Sequence, residues 1–477
     1  MSVVVPARPR LADHVFARRH RHDGARVVVL HDTKNDVTVR IAERAWVLVS
    51  GMDGTRDLEG LAAWVKRAGV AIGDEEMTSF LTELAAEGLV EDGPGEDDVV
   101  TGEAAAQASS GGGAPDRPVL ALPGFGLRCD GQGTCCRFYP SVVFSPLEAA
   151  RARGRLPLVE DAGLDQRRGF MPLAGLDDRL LAVALVNGRC AYLEADLRCG
   201  IHRSGAAADK PLGCRVYPAR FVDDGSAIRV SPWLECGCVL ASGLSADGGG
   251  EPLTTATRGA ELERAIFVER LPELVRLGRT LTVPRSEVAA LSLELSSCHV
   301  PDGVASLLAL AAVLDGGEVA GAKRALEAPP PAELTHLAER LAAIRPRVAR
   351  LAAEEWRSPE DFARQLATAL LGAFDLLDVM PEELLRGPGV FEMTESFYVR
   401  ALLFGHQLFH PKGKHTMASL ARDRAVRVLL GRALAVTANL AELTDPAFRH
   451  PLALVEACSR AYGLVGYLHT FIDENGA

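Results

Sequence analysis

The sequence predicts an α+β protein with several domains, and three observations lead to this prediction. The chain has 477 residues, its apolar spacing changes from strand-like to helix-like along its length, and a segment rich in Gly, Ser and Ala interrupts it. At about 100–200 residues per domain, the length favours two to four domains. We expect, in chain order, a winged-helix-like domain, a loop-rich domain that contains most of the cysteines, and an α-helical domain.

Residues 1–92 are predicted to form the winged-helix-like domain. The runs VVVL (27–30) and VTVRI (37–41) are typical of short strands separated by a turn. Three helical patterns follow, the last of which begins near Asp74 and ends before Gly88, and LVED (89–92) returns as a strand. The basic run at 18–22 is expected to be a solvated arm.

Two segments of this domain, DGTRDLEGLAAWV (53–65) and FLTELAAEGLVED (80–92), resemble the PqqD-like family. That family recognises substrate peptides for peptide-modifying enzymes and binds them as an added strand at a sheet edge. The resemblance therefore implies a peptide or protein partner. A structural or dimerising winged helix is the alternative interpretation of the same pattern.

The rest of the chain divides by composition. Residues 93–117 are predicted to be a flexible linker, because Gly, Ser, Ala and acidic residues dominate them without an apolar period. The cysteine-containing domain is assigned to 118–252, with a strand at RLLAVALV (179–186). The helical domain is assigned to 253–477, where segments from AELERAIFVERLPELVRLG (260–278) onward have apolar residues three and four apart.

Composition also excludes some functions. A formal net charge of −11 argues against bulk nucleic-acid binding, which needs a basic surface. No run approaches the ~18 apolar residues of a membrane helix, so no membrane association is expected. The N-terminal residues lack the apolar core of a signal peptide, and we expect a cytoplasmic protein. No feature predicts the oligomeric state.

The cysteines are concentrated in one region. Of the ten, eight lie in the predicted middle domain: Cys129, Cys135, Cys136, Cys190, Cys199, Cys214, Cys236 and Cys238. In the reducing cytoplasm, such density favours metal binding or catalysis over a disulfide scaffold. Cys298 and Cys458 stand apart in apolar helical patterns and are expected to be buried thiols without chemistry.

The spacing of the thiols bears on the metal. Adjacent side chains of an extended segment point in opposite directions, so Cys135 and Cys136 suit two irons of one cluster, or two sites, better than one tetrahedral ion. Cys236 and Cys238 are two residues apart, so in an extended segment their side chains lie on the same face. Eight thiolates permit two four-ligand sites, or one cluster with cysteines to spare. We favour one or two [4Fe–4S] iron–sulfur clusters, and zinc is the alternative.

Three blocks, CDGQGTCC (129–136), CAYLEADLRCGIH (190–202) and KPLGCRVYP (210–218), resemble the zinc/iron-chelating cysteine-cluster (YkgJ-like) family. The family pattern is C-x-x-C-G-x-C-C, C-x-[FY]-L…C-x-I-[YH] and R-P-x-x-C-R-x-[FY]-P. Gln132 replaces a family cysteine and Lys210 replaces the arginine. The missing thiol leaves the ligand count open, and Cys236 or Cys238 can supply it.

Other side chains near the cysteines are also candidates. His202 is either a metal ligand or a polar neighbour of Cys199. Arg215 is predicted to contact the cofactor, as a donor to cluster sulfur or a balance for its negative charge. Gly131 and Gly133 would let the first loop bend around the metal. His406 and His410 have metal-competent spacing, but without a third ligand they are expected to be surface histidines of a helix.

The segments TCCRFYP (134–140) and ESFYVRALLFGHQLF (395–409) resemble the flagellin lysine-N-methylases, which share the cysteine arrangement. This resemblance implies a metal-cluster enzyme that modifies proteins, with lysine N-methylation as the candidate reaction and S-adenosylmethionine as a candidate cofactor. No Gly-rich methyl-donor loop is visible in the sequence, and no catalytic residue is assigned. The alternatives are a non-enzymatic metal-binding or redox-sensing protein and a zinc-stabilised interaction scaffold.

Overall fold

The structure is a computed structural model in which the chain divides into two units. One unit contains residues 1–112, 139–215 and 355–361, and the other contains 113–138, 216–354 and 362–477. The residues it describes are 5–12, 15–22, 25–32, 37–42, 44–52, 54, 56–67, 70–92, 117–129, 133, 136–137, 143–144, 148–149, 151–152, 170–172, 181–183, 185–186, 189–204, 210–244, 251–253, 268–353, 362–386, 392–409, 415–440 and 450–461. Cys135, Gly131, His410 and all of the predicted linker except Arg117 lie outside these ranges.

Helices and short sheets are both present, so the chain is a mixed α+β protein as predicted. Its strands are β1 (Pro9–Leu11), β2 (Val15–His22), β3 (Ala25–Asp32), β4 (Val37–Ile41), β5 (Val90–Asp92), β6 (Val119–Ala121), β7 (Gly126–Leu127), β8 (Val143–Phe144), β9 (Phe170–Pro172), β10 (Leu181–Val183), β11 (Leu185–Val186), β12 (Arg189–Cys190), β13 (Ala219–Asp223), β14 (Ile228–Pro232), β15 (Glu251–Pro252), β16 (Val268–Arg270), β17 (Leu274–Arg276) and β18 (Thr282–Pro284). Its helices are α1 (Ala45–Gly51), α2 (Leu58–Arg67), α3 (Asp74–Ala86), α4 (Gly200–Ser204), α5 (Leu212–Val216), α6 (Gly237–Gly243), α7 (Arg285–Leu295), α8 (Gly303–Asp315), α9 (Ala322–Glu327), α10 (Thr335–Ala353), α11 (Phe362–Val379), α12 (Pro381–Arg386), α13 (Glu392–Phe404), α14 (Met417–Leu440) and α15 (Pro451–Ala461).

The N-terminal part of the first unit contains an antiparallel sheet in the order β2-β3-β4, three helices, and the antiparallel pair β1–β5. Its core is built from apolar residues of the sheet and of all three helices, including Leu30, Leu48, Leu61 and Leu81. The predicted strands at 27–30 and 37–41 are confirmed. The basic run at 18–22 belongs to β2 and not to a free arm, because its backbone pairs with β3 from Arg18 to His22.

Helix α3 ends as its sequence predicts. Gly88 has φ +68, a left-handed conformation that glycine adopts at low cost. The N–H of Leu89 donates to the carbonyl of Leu84 at 2.9 Å, which satisfies a carbonyl in the last turn of the helix. The chain then enters β5, which returns to pair with β1.

The remainder of the first unit consists of short elements. Strands β8, β10 and β9 form a sheet in that order, and β11 pairs with β12. Strand β11 also lies against β2. Of residues 118–252, 139–215 belong to this unit, and 118–138 and 216–252 belong to the other. The domain boundaries proposed from sequence remain a prediction.

The second unit combines a four-stranded sheet with a set of packed helices. The sheet has the order β16-β13-β14-β6, in which β13 and β14 form an antiparallel hairpin. Helix α14 packs against α8, α11 and α15. Helix α8 is buried along almost its whole length, and the Asp302 carboxylate caps it by accepting from the Ala305 N–H at 2.8 Å. The helical predictions within 303–461 are confirmed for α8, α10, α11, α14 and α15.

Two stretches differ from the helical prediction. Residues 268–276 form strands β16 and β17, since Pro272 interrupts a helix and β16 completes the sheet beside β13. Ion pairs from Arg220 to Glu269 and from Arg270 to Asp223 fix β16 there. Helix α13 ends at Phe404, so the predicted helix does not continue through residue 409.

None of the helices in the described ranges combines the length and apolar character that a bilayer crossing requires.

Candidate functional site

Cys190 and Cys199 stand on the two arms of one tight loop in the first unit. The N–H of Leu193 donates to the carbonyl of Cys190 at 2.9 Å, and Leu193 forms an isolated antiparallel bridge with Cys199. The N–H of Gly200 donates to the Tyr192 carbonyl at 2.9 Å. Cys190 is buried and Cys199 is half-buried. The backbone thus holds these two predicted ligands on facing arms.

Side-chain packing and ion pairs hold the loop between Cys190 and Cys199 in place. Tyr192 is buried and its ring lies 6.4 Å from that of Phe144. Arg203 pairs with Glu194 at 2.6 Å and with Asp196 at 3.4 Å. Leu197 has φ +64 at the tip of the loop. The aromatic and leucine positions of this block therefore pack the loop.

His202, Cys214 and Arg215 lie on two five-residue helices of the same unit. His202 is on α4 and is exposed; the Lys210 ammonium, and then partial burial, lower the pKa of His202. This favours the neutral imidazole, the form that binds metals. Cys214 and Arg215 are half-buried neighbours on α5.

The other described cysteines of the cluster region belong to the second unit. Cys129 is exposed and Cys136 half-buried, and the Cys136 N–H donates to the Gly133 carbonyl at 2.9 Å. Gly133 has φ +64, a left-handed conformation that glycine adopts at low cost, and the bend of this loop around a metal stays a prediction. Cys236 precedes the first residue of α6 and Cys238 lies in its first turn, and both are buried.

The segment that contains Cys129 packs against helix α6. The Arg128 N–H donates to Ser242 Oγ at 3.0 Å, and β7 packs on α6. Cys238 and Ser242 are four residues apart and therefore share a face of the helix. The replacement of the cysteine absent at position 132 by Cys236 or Cys238 stays a prediction.

The described residues do not by themselves contain a complete metal site. Among them no three His, Cys, Asp or Glu side chains are grouped closely enough to hold a metal ion. Cys135, which is central to the predicted cluster, lies outside the described ranges. The donor set fits a cluster by its chemistry, since it is dominated by thiols, but the convergence of the six family cysteines stays a prediction.

A second candidate site is a groove in the N-terminal part of the first unit. It has a volume of about 690 Å³ and lies between β4 and α1 on one side and α3 on the other. Its floor is apolar and includes Ile41, Leu48 and Leu84, while Phe80 is half-buried within it. Strand β4 is at the edge of the β2-β3-β4 sheet. A strand edge that has no partner among the described residues and lies beside an apolar groove can accept an extended peptide.

His406 is a feature that the sequence pattern misassigned. It is fully buried rather than on a helix surface, it has φ +52, and its Nε2 lies 3.4 Å from Asp224 Oδ2. The residue before it, Gly405, is the only local signal that the helix ends there. His410 lies outside the described residues.

Comparisons with protein-family models, with curated proteins and with solved structures find no significant match. The resemblances to the YkgJ-like, flagellin lysine-N-methylase and PqqD-like families therefore remain predictions.

Proposed function

We propose that this protein binds an iron–sulfur cluster of the [4Fe–4S] type and uses it to modify a peptide or protein held by its N-terminal region. The observation that carries the proposal is the concentration of eight of ten cysteines between residues 129 and 238, in blocks with the YkgJ-like spacing. Lysine N-methylation, with S-adenosylmethionine as methyl donor, is the candidate reaction.

The proposed metal ligands are Cys129, Cys135, Cys136, Cys190, Cys199 and Cys214, with Cys236 or Cys238 in place of the missing thiol and His202 as a further donor. Arg215, next to Cys214, would donate hydrogen bonds to the cluster and offset its negative charge. When bound, the cluster would supply redox or Lewis-acid chemistry. The chain would hold it by paired backbone turns, such as the one that joins Cys190 and Cys199.

The shortness of the surrounding elements supports a bound metal. The described elements next to the ligands have two residues in β12 and five in each of α4 and α5. Segments this short have few hydrogen bonds within the element, so metal–thiolate bonds would provide part of their stability. The groove beside β4 supports the second half of the proposal, because it offers a place for an extended substrate.

The test compares serine variants of cysteines inside and outside the predicted cluster. Cys190→Ser and Cys199→Ser should lower the metal bound per chain at least severalfold, since each removes a proposed ligand. Cys298→Ser and Cys458→Ser are the matched controls: both thiols are buried, and burial and then Glu327 raise the pKa of Cys298 to about 11. Metal analysis that finds the same content in all four variants would contradict the proposal.

A further inference from the structure

The groove beside β4 has a defined pattern of charge. One wall contains Arg40 and Arg44, and the other contains Glu76, Glu83 and Glu87 of α3. Arg44 pairs with Glu76 at 2.5 Å, which neutralises one end of the groove. Glu83 accepts a hydrogen bond from Ser79 Oγ at 3.4 Å. Within the described residues, neither Glu83 nor Glu87 has a cationic partner, and both are exposed.

The helix places these acids on the groove side. Glu83 and Glu87 are four residues apart, and Phe80 and Leu84 lie in the same stripe, so acidic and apolar side chains line one face of α3. From Glu76 to Glu87 the helix rises about 16 Å. An extended peptide would span this distance with roughly five residues.

Strand β4 determines which peptide side chains meet that face. Val39 is half-buried, Arg40 exposed and Ile41 buried, so the odd-numbered positions of β4 face the core and Arg40 faces away from it. In a peptide paired with the β4 edge, alternate side chains would likewise face α3. Those side chains would meet Phe80 and Leu84 and then the carboxylates of Glu83 and Glu87, which have no cationic partner within the described residues, while Arg40 lies in the opposite wall of the groove.

We infer that the occupant of this groove is an extended cationic–apolar peptide. Its apolar side chains pack against Phe80 and Leu84, and a lysine or arginine on the same face lies between Glu83 and Glu87. This inference rests on the proposed function and defines the substrate class of the same site. Exposed carboxylates attract such a cation through solvent, so the preference is moderate and sensitive to salt.

The experiment measures binding of labelled eight-residue peptides to the full chain by fluorescence anisotropy. One peptide alternates valine with lysine, and two matched peptides carry glutamate or serine in place of lysine. At low salt, the lysine peptide should bind about three- to tenfold more tightly than the serine peptide, and high salt should reduce this difference. The glutamate peptide should bind most weakly.

The second part of the experiment uses variants of α3 in which the charge is reversed. The double variant Glu83→Lys/Glu87→Lys should prefer the glutamate peptide, whereas Glu75→Lys, on an exposed position of α3 outside the groove, should keep the original preference. If all three peptides bind equally, the charge preference is refuted and peptide capture stands. If none binds, or if a second copy of the chain occupies the groove and the peptides do not displace it, both the inference and peptide capture are refuted.

Discussion

His406 is a fully buried titratable side chain in the second unit. Burial lowers the pKa of His406 below its ordinary value of 6.5, although the hydrogen bond with Asp224 acts in the opposite direction. The charges of Arg229 and Arg220 lower it further. Nδ1 has no hydrogen-bond partner within the described residues. At neutral pH this lowered pKa favours the neutral imidazole.

The pKa of the Asp224 carboxylate, beside His406, is also shifted. Burial would raise the pKa of Asp224, but hydrogen bonds from His406, Ser226 and Arg229 outweigh it and keep the pKa well below its ordinary value. Its buried ion pair with Arg229, at 2.7 Å, keeps Asp224 charged. The stability that Asp224 provides is lost only below about pH 4, since the unfolded carboxylate titrates there.

The lowered pKa of His406 predicts a pH dependence of stability. Between pH 7 and 5.5 the unfolded histidine takes up a proton near pH 6.5 and the folded one does not, so the free energy of unfolding should fall as pH falls, by up to about 1 kcal/mol. His406→Asn should reduce this slope in urea titrations, because asparagine tolerates the left-handed backbone and does not titrate. His336→Asn, at an exposed position, is the control. An unchanged slope in His406→Asn would contradict the assignment.

The turn after α13 docks on the β13–β14 hairpin. Arg220 Nη1 donates to the Gly405 carbonyl at 2.6 Å, and Gln407 Nε2 donates to the Pro232 carbonyl at 2.9 Å. A Cβ at Gly405 would lie 1.9 Å from Ser231 Oγ and 2.4 Å from Ser231 Cβ. Glycine at this position therefore permits the close approach of the turn to the strand.

Replacing Gly405 should weaken this docking. Gly405→Ala is expected to reduce the free energy of unfolding by about 1–3 kcal/mol, because neither Ser231 nor the carbonyl of Ala401, 3.0 Å from the added carbon, can avoid it without a shift. The second substitution Ser231→Gly should recover part of the loss. Gly316→Ala, whose nearest neighbours would lie at 3.5 Å, serves as the control. Equal thermal stability of Gly405→Ala and Gly316→Ala would refute the close approach.

The elements that sequence could predict are those with a strong local pattern. Helix α8 has apolar residues on all sides, and α3 has both an apolar stripe and a terminal glycine. Strands β16 and β17 could not be found in this way, since β16 depends on pairing with β13, about 50 residues earlier in the chain. Local apolar spacing at 268–276 is compatible with a helix, and Pro272 together with the pairing of β16 with β13 decides between the two.

The candidate sites show the same difference between features that local sequence predicts and features that depend on distant elements. The cysteines of the metal proposal follow from residue type and spacing, because grouped thiols would be unusual in the reducing compartment that the sequence predicts. The burial of His406 and the acidic wall of the β4 groove were not predicted. Both arise where elements distant in sequence meet: the α13 turn with the β13–β14 hairpin, and α3 with β4.

For the molecule as a whole, the central proposal is that the clustered thiols bind metal, in one or two iron–sulfur clusters. Cys190, Cys199 and Cys214 belong to one unit, and Cys129, Cys136, Cys236 and Cys238 to the other. Within each unit the backbone orders at least two of them locally, by the loop from Cys190 to Cys199 and by the start of α6.

Purification of the full chain without oxygen, followed by analysis of iron, zinc and acid-labile sulfide, tests this claim most directly. We predict a brown protein with broad visible absorbance and about four irons and four sulfides for each cluster, in one or two clusters per chain. A colourless protein with stoichiometric zinc would support the interaction scaffold instead. A protein that binds neither metal, with its cysteines still reduced, would contradict a metal centre of any kind.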